Sequence, residues 1–185
     1  MTTSSNHIDH YPDFQSNHAL TRNVDVWLPP GYAADSERRY GVLYMHDGQN
    51  IFADSHAYGG ESWEVVPALK RLMAADKAPP VIIVGIWNTA QRWRDYLPQR
   101  PFASEEGQRL LAEKAQELGG PPQSDGYLRF LVEELKPFID GRYRTLPDPA
   151  HTTIMGSSMG GLISLYALCE YPDVYGRAGC LSTHW

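Results

Sequence analysis

The stretch Gly156-Ser157-Ser158-Met159-Gly160-Gly161 concentrates the chemistry of this sequence. It carries the spacing G-x-S-x-G with Ser158 at its centre. A strand-like run, His151 to Met155, precedes it, and a pattern read as an amphipathic helix follows from about Met159 to Tyr171. A serine lifted onto a tight strand-to-helix turn takes strained backbone angles. Side chains two residues away on either side would collide, so glycine is required at both places. The amide of Met159 then opens a helix, where partial positive charge can stabilise a developing oxyanion. This is the chemistry of acyl transfer through a serine nucleophile. Ser157 is the competing hydroxyl, but it lacks the flanking glycine pattern.

A second concentration is Met45-His46-Asp47-Gly48-Gln49-Asn50, directly after an apolar run. Acyl transfer needs a second oxyanion donor, supplied by a backbone amide in such a loop. The expected donor is Gln49, just past Gly48, which would let the backbone pass close to the substrate. His46 is expected to line the pocket, and His151 to sit at the opposite end of its strand.

These groups need a scaffold, and the pattern provides one. Asn23 to Leu28 alternates polar and apolar residues before Pro29-Pro30-Gly31 and reads as a strand. Tyr40 to Met45 and Val81 to Trp87 are apolar runs, the second β-branched enough to be covered on both faces. A helix is expected from Ser62, with Pro67 in its first turn. Another, exposed, is expected over Glu105 to Leu118. A third should be capped by Asp125, bury Leu128, Leu131 and Leu135, and be kinked or ended by Pro137. Ala178 to Ser182 reads as a last strand. Strand and helix alternate in the later half, which predicts an α/β fold with a mostly parallel sheet and helices on both faces. In such sheets function gathers at the carboxyl ends of the strands, here Asp47–Asn50, Asn88 onward and Gly156–Gly161.

Composition agrees with one domain spanning residues 1–185, 42% hydrophobic and 21% charged. The segment 100–122 reads as a polar insertion near the active site. A net charge of −6 argues against a nucleic-acid partner, and no apolar run is long enough to cross a bilayer. Met1 to Leu20 has no basic or apolar signal region, so a cytoplasmic location is expected. Cys169 and Cys180 fit no metal-ligand spacing and suggest no disulfide framework. No metal or organic cofactor is expected.

The chain resembles the esterase branch of the α/β-hydrolases that includes enterochelin esterases, feruloyl and acetyl-xylan esterases, S-formylglutathione hydrolases and mycolyltransferases. The matching pieces are Val26-Trp27-Leu28-Pro29-Pro30-Gly31-Tyr32, Leu43-Tyr44-Met45-His46-Asp47-Gly48-Gln49, Ile83-Val84-Gly85-Ile86-Trp87-Asn88, Phe130 to Pro137, and the turn at Ser158. The resemblance implies an α/β-hydrolase fold with Ser158 as nucleophile and Met159 and Gln49 as oxyanion donors. Asp47 matches an acidic position that touches a sugar in the transferase relatives; here it either does the same or braces the loop. Trp87 and Asn88 are expected to wall the substrate pocket. Arg92, Arg94 and Tyr96 match a segment beside the site, and both arginines are read as solvated surface residues.

In α/β-hydrolases the acid and then the histidine follow the serine in the chain. After Ser158 this sequence offers only Glu170, Asp173 and His184. Neither acid is placed to orient a base. His184 follows the last strand at its functional end, as a wall of the pocket or as a base without an acid to hold it. The family's last two strands, which carry the acid and histidine, have no counterpart here. The expected function is hydrolysis of a carboxylic ester through an acyl-serine. The alternatives are acyl transfer to a sugar or other alcohol, and a catalytically incomplete fragment or binding module. The expected partners are a small-molecule ester and either a C-terminal segment outside this chain or a second copy of it.

Overall fold

The computed structural model describes residues 7–184, with the backbone alone for residues 114–118. Six strands, β1 (Ile8–Phe14), β2 (Arg22–Trp27), β3 (Gly41–His46), β4 (Val81–Ile86), β5 (Thr152–Ser157) and β6 (Arg177–Leu181), form one sheet. Their order is β1-β2-β4-β3-β5-β6. The pairs β3/β4, β3/β5 and β5/β6 are parallel, while β1/β2 and β2/β4 are antiparallel. The helices are α1 (Val65–Ala74), α2 (Arg92–Tyr96), α3 (Glu105–Leu118), α4 (Ser124–Arg129), α5 (Lys136–Arg142) and α6 (Met159–Glu170).

At β4 both faces of the sheet are covered, as its apolar run predicts, whereas the edge strand β6 stays largely exposed. Ile82, Val84 and Ile86 point into the larger core with Val42, Tyr44 and the helical residues Tyr127, Leu131 and Ile163. Ile83 points the other way, to Trp27, Met45 and Val66 of α1. Alternate residues of one strand therefore serve two cores, the period-two rule of an extended chain. No helix among the described residues is long and apolar enough to cross a membrane.

Several local expectations change. The sequence pattern gives no sign of β1, an edge strand of partly or fully exposed, mixed polar and apolar residues whose register slips between Tyr11 and Phe14, around Pro12. An edge position is where a strand tolerates proline and polarity. Helix α1 starts at Val65 rather than Ser62, because Glu64 takes left-handed angles, φ 49° and ψ 34°, that a helix cannot run through. Asp125 caps nothing: Gln123 precedes α4, and Asp125 Oδ1 accepts from the Tyr166 hydroxyl at 2.8 Å. Pro137 does not end its helix. A π-helical stretch, Phe130–Leu135, precedes it, and Pro137 falls in the first turn of α5. The wider turn accommodates a ring that lacks an N–H and would collide with a regular α-helical carbonyl. Finally, α6 is not amphipathic: Met159, Gly160, Gly161, Ile163, Ser164, Tyr166 and Ala167 are all buried, around most of its circumference. A helix covered nearly all round is apolar nearly all round.

Candidate active site

Ser158 lies between the last residue of β5 and the first of α6, with φ 57° and ψ −121°. A non-glycine residue there is strained, and neighbouring contacts must hold it. The main chain shows how. The Ser158 amide donates to Leu181 O at 2.9 Å, and its carbonyl accepts from the amides of Gly161, Leu162 and His184 at 3.0, 3.2 and 3.2 Å. The two flanking glycines interlock: a Cβ on Gly156 would lie 2.5 Å from the carbonyl carbon of Gly160. The serine side chain makes no capping bond to its own helix, unlike an ordinary N-cap serine. It is partly exposed and opens on a cleft of about 550 Å³ lined in part by Gln49, Trp63, Asn88 and Arg92.

The two expected donors, the amides of Met159 and Gln49, both lie in turns at the carboxyl ends of strands. Met159 is the first residue of α6, where N–H groups lack an intrahelical acceptor. Gln49 lies in a 3₁₀ turn, Gly48–Asn50, that follows β3. Among the described residues neither amide has a backbone acceptor in the surrounding turns. The Gln49 side chain is turned aside, its Oε1 accepting from the Asn88 amide at 3.3 Å. Gly48 is needed for a reason other than substrate approach: a Cβ there would lie 2.5 Å from the carbonyl carbon of Gly85 on β4. The loop is pressed onto the sheet.

Asp47 begins that loop in the left-handed region, φ 59° and ψ 46°, and is buried. Its Oδ1 accepts from Asn88 Nδ2 at 2.6 Å and Arg92 Nε at 2.7 Å, and its Oδ2 from Arg92 Nη2 at 2.8 Å. Arg92 is thus no freely solvated surface residue. Burial disfavours its charge, but the hydrogen bonds and charge of Asp47 outweigh this and hold its pKa above the ordinary value. This pair was not legible in the sequence, since partners 45 positions apart leave no local signal. Arg94 reaches the Pro121 carbonyl at 2.9 Å, and Tyr96 is fully buried.

The remaining candidates are dispersed. Trp87 does not reach the cleft of Ser158. Its indole N–H donates to Asp25 Oδ2 at 2.6 Å, its ring meets His56, and it lines a separate cavity of about 440 Å³. His46 does not line the pocket either. It is fully buried, with Nδ1 bonded to the Tyr127 hydroxyl at 2.8 Å, and burial lowers its pKa to about 3. His184 is exposed, sets its ring edge-on to Trp93 at 5.7 Å, and has no carboxylate partner among the described residues. Glu170 closes α6 and pairs with Arg100 at 2.7 Å. His151 sits before β5, bonded to Asp148. Among the described residues no three His, Cys, Asp or Glu side chains converge as metal ligands would.

The chain is similar to known proteins. The family described as "Putative esterase" matches residues 18–185. The uncharacterized protein YbbA of Bacillus subtilis is 26% identical over 168 residues, covering 90% of this chain and 59% of that protein. The ferri-bacillibactin esterase BesA of Bacillus subtilis is 32% identical over 151 residues, covering 79% of this chain and 49% of that one. Among solved structures, an IroE-like serine hydrolase from Shewanella oneidensis superposes with a TM-score of 0.67 at 26% identity, over 96% of this chain and 51% of the other. The chain spans roughly half to three-fifths of the length of these relatives. The family match over residues 18–185 and the superposed sheet and helices make this chain a member of the esterase family with an α/β-hydrolase fold.

Proposed function

We propose that this chain carries the nucleophile and the oxyanion donors of a serine hydrolase acting on a small-molecule carboxylic ester. Ser158 Oγ attacks the ester carbonyl carbon, and its proton passes to a general base. The carbonyl oxygen takes the negative charge between the amides of Met159 and Gln49. Collapse of the tetrahedral species breaks the bond to the alcohol oxygen, which leaves with the proton. Water then resolves the acyl-serine by the same steps in reverse order.

The observation that carries this reading is the backbone of Ser158. A strained φ of 57°, braced by glycines and by three amides on one carbonyl, holds a hydroxyl toward a cleft rather than into a helix cap. The base and its orienting acid are assigned to the portion of the relatives' length that this chain does not span. Asn88 walls the cleft beside the serine.

The test is rapid mixing of the complete natural protein with a nitrophenyl acyl ester. The expected result is a burst of nitrophenol close to one equivalent, absent in Ser158→Ala. Turnover that Ser158→Ala leaves intact would overturn the assignment.

A further inference from the structure

We infer that the Asp47–Arg92 ion pair is the positioning element of the oxyanion site, acting on both donors without touching substrate. The inference rests on the assignment of Ser158, Met159 and Gln49 above.

The polar groups of Asp47 are engaged by protein. Its carboxylate, 3% exposed, holds Arg92 through two parallel bonds and Asn88 through a third. Its amide donates to the Tyr96 hydroxyl at 3.3 Å, and its carbonyl accepts from the Asn50 amide at 2.9 Å. A residue other than glycine at φ 59° persists only when its surroundings over-determine it, and these contacts do so. The loop conformation that presents Gln49 is therefore set two residues upstream, at Asp47.

The same carboxylate reaches the second donor. A Cβ added to Gly160 would lie 3.4 Å from Asp47 Oδ2, so the first turn of α6, next to Met159, packs on it. One buried group thus lies between the neighbours of both amides. Arg92 is in turn fixed from below. Its guanidinium lies 5.1 Å from the Tyr96 ring centre, and Asp95 on the same short helix pairs with the buried Arg22 at 3.1 Å. A planar two-pronged bond gives orientation as well as charge, which a lysine cannot reproduce. A donor array of this kind accelerates the reaction by being aimed before charge develops.

The experiment is steady-state kinetics of the complete natural protein and its Arg92→Ala and Arg92→Lys variants. For both variants kcat is expected to fall by about 10- to 100-fold. KM should stay within about 2-fold, because the lost interaction belongs to the transition state. An arylboronate, which mimics the tetrahedral adduct, should weaken by the same factor as kcat. Millimolar guanidinium should restore part of the activity of Arg92→Ala and none of that of Arg92→Lys. If Arg92→Ala does not fold, Arg92→Lys carries the same expectation. A raised KM at unchanged kcat would mean that Arg92 binds substrate, and wild-type kinetics in both variants would mean that the pair is inert; either overturns the inference. Absence of Ser158-dependent turnover in the parent protein would instead overturn the hydrolase reading on which it rests.

Discussion

Gly156 and Gly160 meet across the turn at Ser158 so closely that a methyl group on Gly156 would fall 2.5 Å from the carbonyl carbon and 2.6 Å from the carbonyl oxygen of Gly160. The clash is with backbone, which cannot step aside as a flexible side chain can. Gly156→Ala is therefore expected to cost at least the about 1–3 kcal/mol typical of overpacking. It should also displace Ser158. Urea unfolding midpoints check the first effect and the acylation burst the second. A variant of parental stability with a normal burst would show that the turn is looser than described.

Gly48 supports the loop in a comparable way, through contact with Gly85 of β4 at the distances that exclude a Cβ. Gly48→Ala is expected to lower kcat by about 10-fold or more through misplacement of the Gln49 amide. Gly59→Ala serves as the contrast, since nothing lies within 4 Å of a Cβ there, although its φ of +86° brings some backbone strain. Equal kcat in the two variants would mean that Gly48 does not place the Gln49 amide.

His46 makes stability depend on pH. Its folded pKa is about 3, against an unfolded value of 6.5, because burial disfavours the imidazolium. Between these values the unfolded chain binds the extra proton, so this contribution to stability is complete above the unfolded pKa. It is lost as pH falls toward the folded one, at up to about 1.4 kcal/mol per pH unit. Between pH 7 and pH 5 the parent protein should lose more stability than His46→Asn. Equal losses would contradict a buried neutral histidine.

Arg22 and Asp95 form an ion pair whose side chains are 0% and 3% exposed. Burial raises the Asp95 pKa and the neighbouring Arg22 opposes that shift. Removing one partner leaves the other charge uncompensated, so Arg22→Met is expected to cost about 3–5 kcal/mol. Arg22→Met combined with Asp95→Asn should recover a large part of that loss, measured by urea unfolding. Simple additivity of the two substitutions would mean that the pair is not coupled.

What could be read in advance follows a physical boundary. The turn at Ser158 was legible because it is local: six consecutive residues specify strand end, strained angle and helix start. The parallel strands were legible because burial on both faces writes a continuous apolar run, as in β4. Strand β1 was not, because its Tyr11 and Phe14 are interrupted by Pro12 and Asp13 and meet the rings that hold them, Phe130 and Phe138, only far along the chain. The need for Gly48 was visible as a residue but not as a cause, since Gly85 lies far along the chain. Arg92 appeared solvated and Trp87 appeared to wall the pocket for a related reason. The partners that decide their places, Asp47 and Asp25, come from other strands and loops. Long-range polar pairing has no period, and sequence patterns report only periods and neighbours.

In the proposed reaction Ser158 is the residue that takes the acyl group. Peptide mass spectrometry after reaction of the complete natural protein with a fluorophosphonate tests it most directly. A single adduct is expected on the hydroxyl of Ser158, lost in Ser158→Ala and reduced in Gly156→Ala. An adduct on Ser157 or any other residue, or none in protein that turns over a nitrophenyl ester, would contradict it.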